Sequence, residues 1–291
     1  NKAPIVAIVT DPEATQTQME VEYKKDKLPK EVSLAMPGYV MNLANSLISS
    51  VLSERFEEIT MQADAPFAAA MAGYSELVKS KDAFQMVVVP KEGKELEGLN
   101  ALLLEAEKMK RFGFTNAELE RAKTNMLKNF EKSYNERDNQ KSISLAREYI
   151  RHYLSNEPIP GIEFEYQTVQ MILPQLKTEM INQLAKSYVS DTNVVISVMA
   201  PEKANVKVPT ESQILAAIDA TQKAELTAKA EEVLNKPLLD KTPKAGKVKK
   251  IKQNPAMETT EMILSNGVKL VFKPTTFKKD EITMRAFSDG G

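Results

Sequence analysis

The chain has 291 residues, 42% of them hydrophobic and 27% charged, which is enough for one large or two small domains with a buried core and excludes a disordered polymer. A formal net charge of −1 provides no basic surplus for nucleic acid or an anionic membrane surface, and no apolar run approaches the ~20 residues of a membrane span. There is no cysteine and one histidine, His152, so disulfides, thiolate chemistry and every multi-histidine metal site are excluded, while a triad using a single histidine is not.

Ile5 to Thr10 is a short apolar run closed by the turn pair Asp11-Pro12, and Thr17 to Tyr23 alternates as a strand does. Val32 to Thr60 has helical period, interrupted at Met36-Pro37-Gly38. Leu43, Leu47, Ile48, Val51, Leu52, Phe56 and Ile59 recur at spacings of three and four and make one wide apolar face. Phe67 to Val78 and Ala83 to Val89 predict two strands around Lys79-Ser80-Lys81-Asp82, the second closed by Pro90.

Leu99, Leu102, Leu103, Ala106 and Met109 form the stripe of a helix that ends at Gly113. Thr115-Asn116-Ala117-Glu118 matches a capping box and starts a helix whose stripe is Leu119, Ala122, Met126 and Phe130. The next helix carries Ile143, Ala146, Ile150 and Leu154 and is broken by Pro158-Ile159-Pro160-Gly161. Shorter helices are predicted at Glu163 to Leu173 and Thr178 to Val189, followed by a buried strand from Asn193 to Met199 that Pro201 ends. Hairpins with grouped helices predict an α+β fold: a two-layer domain with a mostly antiparallel sheet and helices packed on one face.

Beyond Val206 the composition shifts. Thr210 to Asn235, rich in Ala, Glu, Lys and Leu, predicts one long, largely polar helix, and the Lys- and Pro-rich stretch Pro237 to Pro255 predicts a solvated linker. Thr260 to Leu264 and Val268 to Phe272 flank Ser265-Asn266-Gly267, whose Asn-Gly pair tolerates the positive φ of a tight hairpin. Ile282 to Phe287 reads as a third strand before Gly290-Gly291. Three strands without a covering helix cannot bury an apolar face, so the expectation is a cut chain. Its parts are a complete domain over 1–205, a helical and Lys/Pro-rich linker over 206–258, and the first strands of a following domain over 259–291.

Chemistry-bearing residues are sparse. Glu54, Glu57 and Glu58 lie on one long helix without an imidazole partner and read as a solvated face. His152, between Arg151 and Tyr153, reads as a helix-terminal side chain that favours the dipole when protonated; no Ser or Asp points to it as a partner. Asn135-Glu136-Arg137-Asp138 reads as a polar interhelix turn, and the 14 methionines sit at core spacings. The residues by themselves yield no catalytic, cofactor-binding or metal-ligating position.

Several segments, in order and spacing, resemble the pitrilysin/insulinase family of zinc metallopeptidases, the inverzincins. Thr115 to Tyr134, with Glu118-Leu119-Glu120-Arg121-Ala122-Lys123, is similar to a helical run of that family. Asn156 to Glu165, Thr178 to Val189 and Val194 to Val198 resemble the end of a family domain. Leu264-Ser265-Asn266-Gly267-Val268 with Gly290-Gly291 resembles the start of the next. The resemblance implies a repeated α+β domain, commonly four copies in two halves around a peptide chamber. It also implies zinc held by H-x-x-E-H on the first long helix of the first copy, with a downstream Glu as third ligand.

The corresponding helix here, Asn42 to Ile59, contains no histidine, which fits a second, non-catalytic copy: no catalytic or metal residue carries over. The implied parent is a zinc metalloendopeptidase acting on peptide or unfolded polypeptide, with this part forming chamber wall and interhalf hinge beside the catalytic domain of the same chain. The alternative is a scaffold or substrate-binding subunit of the same family that has lost its metal. Exposed terminal strands offer a route to a homo-oligomer, and the resemblance favours a periplasmic or other extracytoplasmic location over a cytoplasmic one.

Overall fold

Two strands, β1 (Ile5–Asp11) and β2 (Gln18–Asp26), open the chain, and a hairpin of β3 (Phe67–Val78) and β4 (Lys81–Pro90) follows the first long helix. The computed structural model describes residues 1–291 except 156, 204–205, 231–236, 238, 279–280 and 289–291. With β5 (Val194–Pro201) these strands form a five-stranded sheet of order β1-β5-β2-β4-β3. β1 runs parallel to β5 and every other neighbour is antiparallel, so the sheet is mostly antiparallel, as expected from the sequence. The period of two puts Met19, Val21 and Tyr23, Phe84, Met86 and Val88, and Val194, Ile196 and Val198 on one face, all buried. Glu20 and Glu22 stand between them on the opposite face, half-buried.

Helices cover the apolar face. The interruption at Met36-Pro37-Gly38 separates the short α1 (Lys30–Ser33) from α2 (Met36–Thr60), with Pro37 in the first turn where its missing N–H costs no bond. Gly38 sits against the end of α1: a Cβ there would lie 2.4 Å from the Ser33 carbonyl oxygen. Leu43, Leu47, Ile48, Val51, Leu52 and Phe56 of α2 are buried in one core with α3 (Glu95–Phe112), α4 (Asn116–Asn135) and α7 (Thr178–Tyr188). The Thr115/Glu118 capping box forms as predicted. α6 (Ile162–Ile172) packs on α4, while α5 (Ser142–Ser155) buries none of its residues.

The C-terminal third departs from expectation. The helix predicted over Thr210 to Asn235 is only α8 (Glu211–Lys223), started by a capping box of Thr210 and Gln213; its predicted end lies outside the described residues. It is not a solvated linker helix, because Ile214 and Ala217 are buried in the domain core. Its end is fixed from outside: Arg111 donates to the carbonyls of Gln222 (2.6 Å) and Ala224 (2.8 Å), satisfying terminal acceptors that further helix would have used.

The Lys-rich stretch contains a strand, β6 (Val248–Asn254), which pairs with β7 (Thr259–Leu264); β7 in turn pairs with β8 (Lys269–Phe272) across the Asn266-Gly267 turn, with Gly267 at φ 89°. Three strands do gather here, but the third is β6. Ile282 to Phe287 forms no strand and its Ile282 and Phe287 are 95% and 94% exposed. The backbone edge of β7 recruits β6 despite its few apolar residues, so composition misled twice in one region. Gly290-Gly291 lies outside the described residues.

Candidate functional site: a groove between α2, α4 and α6

α2 and α4 are clamped together at one end. Arg55 of α2 donates from Nε to Glu118 Oε1 (2.7 Å) and from Nη2 to Glu118 Oε2 (2.8 Å), and again from Nη2 to the Gly113 carbonyl (3.0 Å). Both side chains are buried, and the guanidinium lies 5.0 Å from the centre of the Phe114 ring. Burial alone would push the Glu118 carboxyl up. The Arg55 hydrogen bonds, the Thr115 N–H and the charges of Arg55 and Lys229 overcome it and hold the group down at about 2. The same residue closes the capping box, accepting from Thr115 N at 2.8 Å.

Away from this clamp the two helices part and leave a groove of about 670 Å³, closed on its third side by α6 and the Pro158–Pro160 segment. Asn42, Ser46 and Ser50 repeat every fourth residue on α2, and Asn125 and Asn129 do so on α4, so helical geometry lines both walls with short neutral polar groups. None of these five side chains makes a hydrogen bond among the described residues. Tyr39, Phe130 and Phe164 supply aromatic surface. The Tyr39 hydroxyl is buried without a hydrogen-bond partner among the described residues, and burial, with Glu165 adding to it, pushes its pKa up to about 12.

One mouth of the groove is acidic. Glu157 and Glu165 line it, and it continues into a second cleft beneath α5 that Glu148 and Arg151 share. Burial, then the charges of Glu148 and Glu157, push the Glu165 carboxyl up, while Arg151 opposes them. Arg151 is itself engaged by Glu157 (2.9 Å). Arg137 of this second cleft lies over the Tyr134 ring at 4.4 Å and donates to the Tyr134 carbonyl.

Of the residues weighed from sequence, Glu54, Glu57 and Glu58 lie apart from this groove, while His152 and Arg137 border its acidic end. His152 is exposed in the last turn of α5, its Nδ1 2.7 Å from the Glu157 carbonyl oxygen, a helix-end contact. Glu57 and Glu58 are exposed and Glu54 half-buried, the solvated face expected, with surface pairs of Glu54 with Arg121 (3.2 Å) and of Glu58 with Lys229. Of the polar turn predicted over Asn135 to Asp138, Asn135 is the last residue of α4 and the turn follows at Glu136, continuing as a short 3-10 helix over Arg137–Asn139. The groove itself was not foreseen, although the Asn/Ser repeats at spacing four beside an apolar stripe were legible. A zinc ion does not fit the donor set: α2 has no histidine, and among the described residues no group of three His, Asp or Glu side chains is arranged to hold a metal ion. No helix among them is long and apolar enough to cross a membrane.

No family model matches the chain. A zinc protease PQQL-like of Arabidopsis thaliana is 25% identical over 96% of this chain and 26% of its own length. The periplasmic protease PqqL from Escherichia coli shares the fold at a TM-score of 0.71 and 16% identity, over 94% of this chain and 30% of its own. Against the structure of the first half of that protease the TM-score is 0.69 at 15% identity, over 79% of this chain and 49% of that half. A predicted insulinase family protease from Yersinia pestis aligns at a TM-score of 0.63 and 12% identity, over 76% of this chain and 46% of its own. The chain thus spans about a quarter of the curated relative it matches. In sequence over almost its full length, and in fold, the chain resembles the pitrilysin/insulinase family of zinc metallopeptidases.

Proposed function

We propose that this chain is a non-catalytic repeat of a zinc metalloendopeptidase that cleaves peptides, followed by the linker and the first strands of the next repeat. The observation that carries the reading is α2. By the resemblance it corresponds to the helix that bears the family's metal motif, yet it carries no histidine; its buried polar side chains are Asn45 and Arg55, the latter locked to Glu118. Metal and catalytic residues then lie in the remainder of the parent, and this chain alone is inactive. The repeat expected over 1–205 extends through α8, whose Ile214 and Ala217 lie in its core, so the linker follows α8 and does not begin at 206, and the next repeat is reached by 259. The match shrinks from 94% to 79% of the chain when the comparison is with only the first half of a related protease, which supports a junction between halves within the chain.

The role is wall and hinge. α5 has no buried residue and turns Ile143, Ile150 and Leu154, 55% to 62% exposed, away from the domain. A stripe of that kind suits packing against the metal-bearing domain. The substrate is peptide or unfolded polypeptide, and the likeness to a periplasmic protease favours an extracytoplasmic location.

Zinc content of the parent and of this chain, by plasma mass spectrometry after dialysis, tests the reading. The expected result is about one zinc per parent chain and none here, with peptidase activity in the parent alone. Zinc-free, inactive parent protein would replace it with the scaffold or substrate-binding alternative, and stoichiometric zinc in this chain would overturn it.

A further inference from the structure

The groove between α2, α4 and α6 has a chemistry that selects its occupant. Asn42, Ser46, Ser50, Asn125 and Asn129 offer both donors and acceptors and no charge. A phosphate or nucleotide would call for cations along the walls, and an aliphatic ligand would leave these groups unpaired. A polypeptide main chain, neutral and carrying one donor and one acceptor per residue, matches them. The volume of about 670 Å³ lies within the range of ligand clefts. The buried Tyr39 hydroxyl, without a partner, is a polar group whose desolvation nothing in the described residues offsets.

The mouth adds charge selectivity. Glu148, Glu157 and Glu165 gather there, against them stands Arg151, and Arg137 is held on Tyr134. The carboxylates outnumber the guanidiniums, so the vacancy in charge is for a cation.

We propose that this groove binds an extended peptide segment whose lysine or arginine side chain enters the acidic mouth at Glu157 and Glu165 while its main chain bonds the Asn/Ser walls and Tyr39. It rests on the reading that the parent handles peptides, and names a retention site for them on the non-catalytic repeat. Such a site holds substrate by a basic residue irrespective of the bond cleaved.

Binding of fluorescein-labelled, N-acetylated peptides to this chain, followed by anisotropy, tests it without metal. Basic peptides (Ala- and Ser-based with two lysines) are expected to bind at least about tenfold tighter than their glutamate counterparts, a charge-assisted contact being the difference. Glu157→Gln with Glu165→Gln should abolish that preference. Tyr39→Phe should weaken binding about fivefold, one lost hydrogen bond, while the thermal midpoint of the free chain stays level or rises, because a purely structural hydroxyl would lower it on removal. Asn125→Leu, on an exposed wall, should block binding with the fold intact by circular dichroism. Equal affinity for acidic and basic peptides, no measurable binding, or self-association through this face detected by sedimentation would each overturn the proposal. Because the assay uses no zinc and the zinc measurement uses no peptide, either reading can fail while the other stands.

Discussion

Arg55 and Glu118, 63 positions apart, meet as a buried two-point pair that ties α2 to the first turn of α4. A third group joins them from far along the chain: Lys229 lies 3.4 Å from Glu118 and also pairs with Glu58. One carboxylate therefore caps a helix, neutralises a buried guanidinium and anchors the segment that follows α8.

Removing one partner strands the other charge in the core. Arg55→Met is expected to cost about 3–5 kcal/mol in urea unfolding, the range for an orphaned buried ion. Arg55→Met combined with Glu118→Gln should recover part of that loss, since Gln is neutral and still accepts from Thr115 N. A double variant no more stable than Arg55→Met would show that packing of the Arg55 stem, not its charge, sets the cost.

The same pair fixes an acid dependence. Glu118 is held at about 2 in the folded chain, below the ordinary ~4.3 of a glutamate in an unfolded one. The folded state therefore binds fewer protons, and the pair's stabilisation is full above about pH 4.3 and fades as pH falls towards 2. Urea midpoints of the native chain and Arg55→Met should differ most at pH 6 and converge near pH 2. A gap that stays constant with pH would sink this account.

How much of this was visible in the sequence follows from the range of the forces involved. Local signals were read well: the Thr115 capping box, the Pro37-Gly38 break and the Asn266-Gly267 turn depend on neighbours a few positions away. The strand β6 was missed because its pairing comes from the backbone edge of β7 and not from its own side chains. α8 was over-extended because helix propensity continues past Lys223, whereas Arg111, over a hundred positions earlier, captures the terminal carbonyls. The groove depends on how α2, α4, α6 and the Pro158–Pro160 segment are set against one another, which no spacing rule contains.

Gly113 is a second long-range junction. Its φ is +72°, and an added Cβ would fall 2.3 Å from Asn182 Cγ, whose amide clasps Phe114 through N–H (2.8 Å) and C=O (3.0 Å). Gly113→Ala should therefore destabilise by more than ~1 kcal/mol, combining backbone strain with loss of that clasp. Adding Asn182→Ala should cost less than the two single changes summed, because the first has already broken the contact. Strict additivity in chemical denaturation would mean that Asn182 moves aside freely.

The apolar stripe on α5 separates folding from assembly. Ile150→Asp should leave the urea midpoint of this chain within ~0.5 kcal/mol of the native value, since the side chain is 55% exposed. In the parent the same change should lower the thermal midpoint, because a charge would then face the neighbouring domain. An unaltered parent would remove α5 from that interface.

Ile214 is fully buried and Arg111 and Lys229 fasten the chain on either side of the α8 terminus, so the folded unit extends past Val206. Ile214→Ala should cost about 2–4 kcal/mol, as for a core aliphatic truncation, whereas a linker residue would cost almost nothing. Brief trypsin treatment should cut first between Lys241 and Lys247, where the backbone is irregular and exposed, and spare Lys223 at the end of α8. Mass spectrometry of the surviving fragment decides the matter: a product ending before Thr210 would return α8 to the linker. One that retains α8 and Lys229 places any hinge after the Glu58–Lys229–Glu118 contact, so that interhalf motion would begin beyond it.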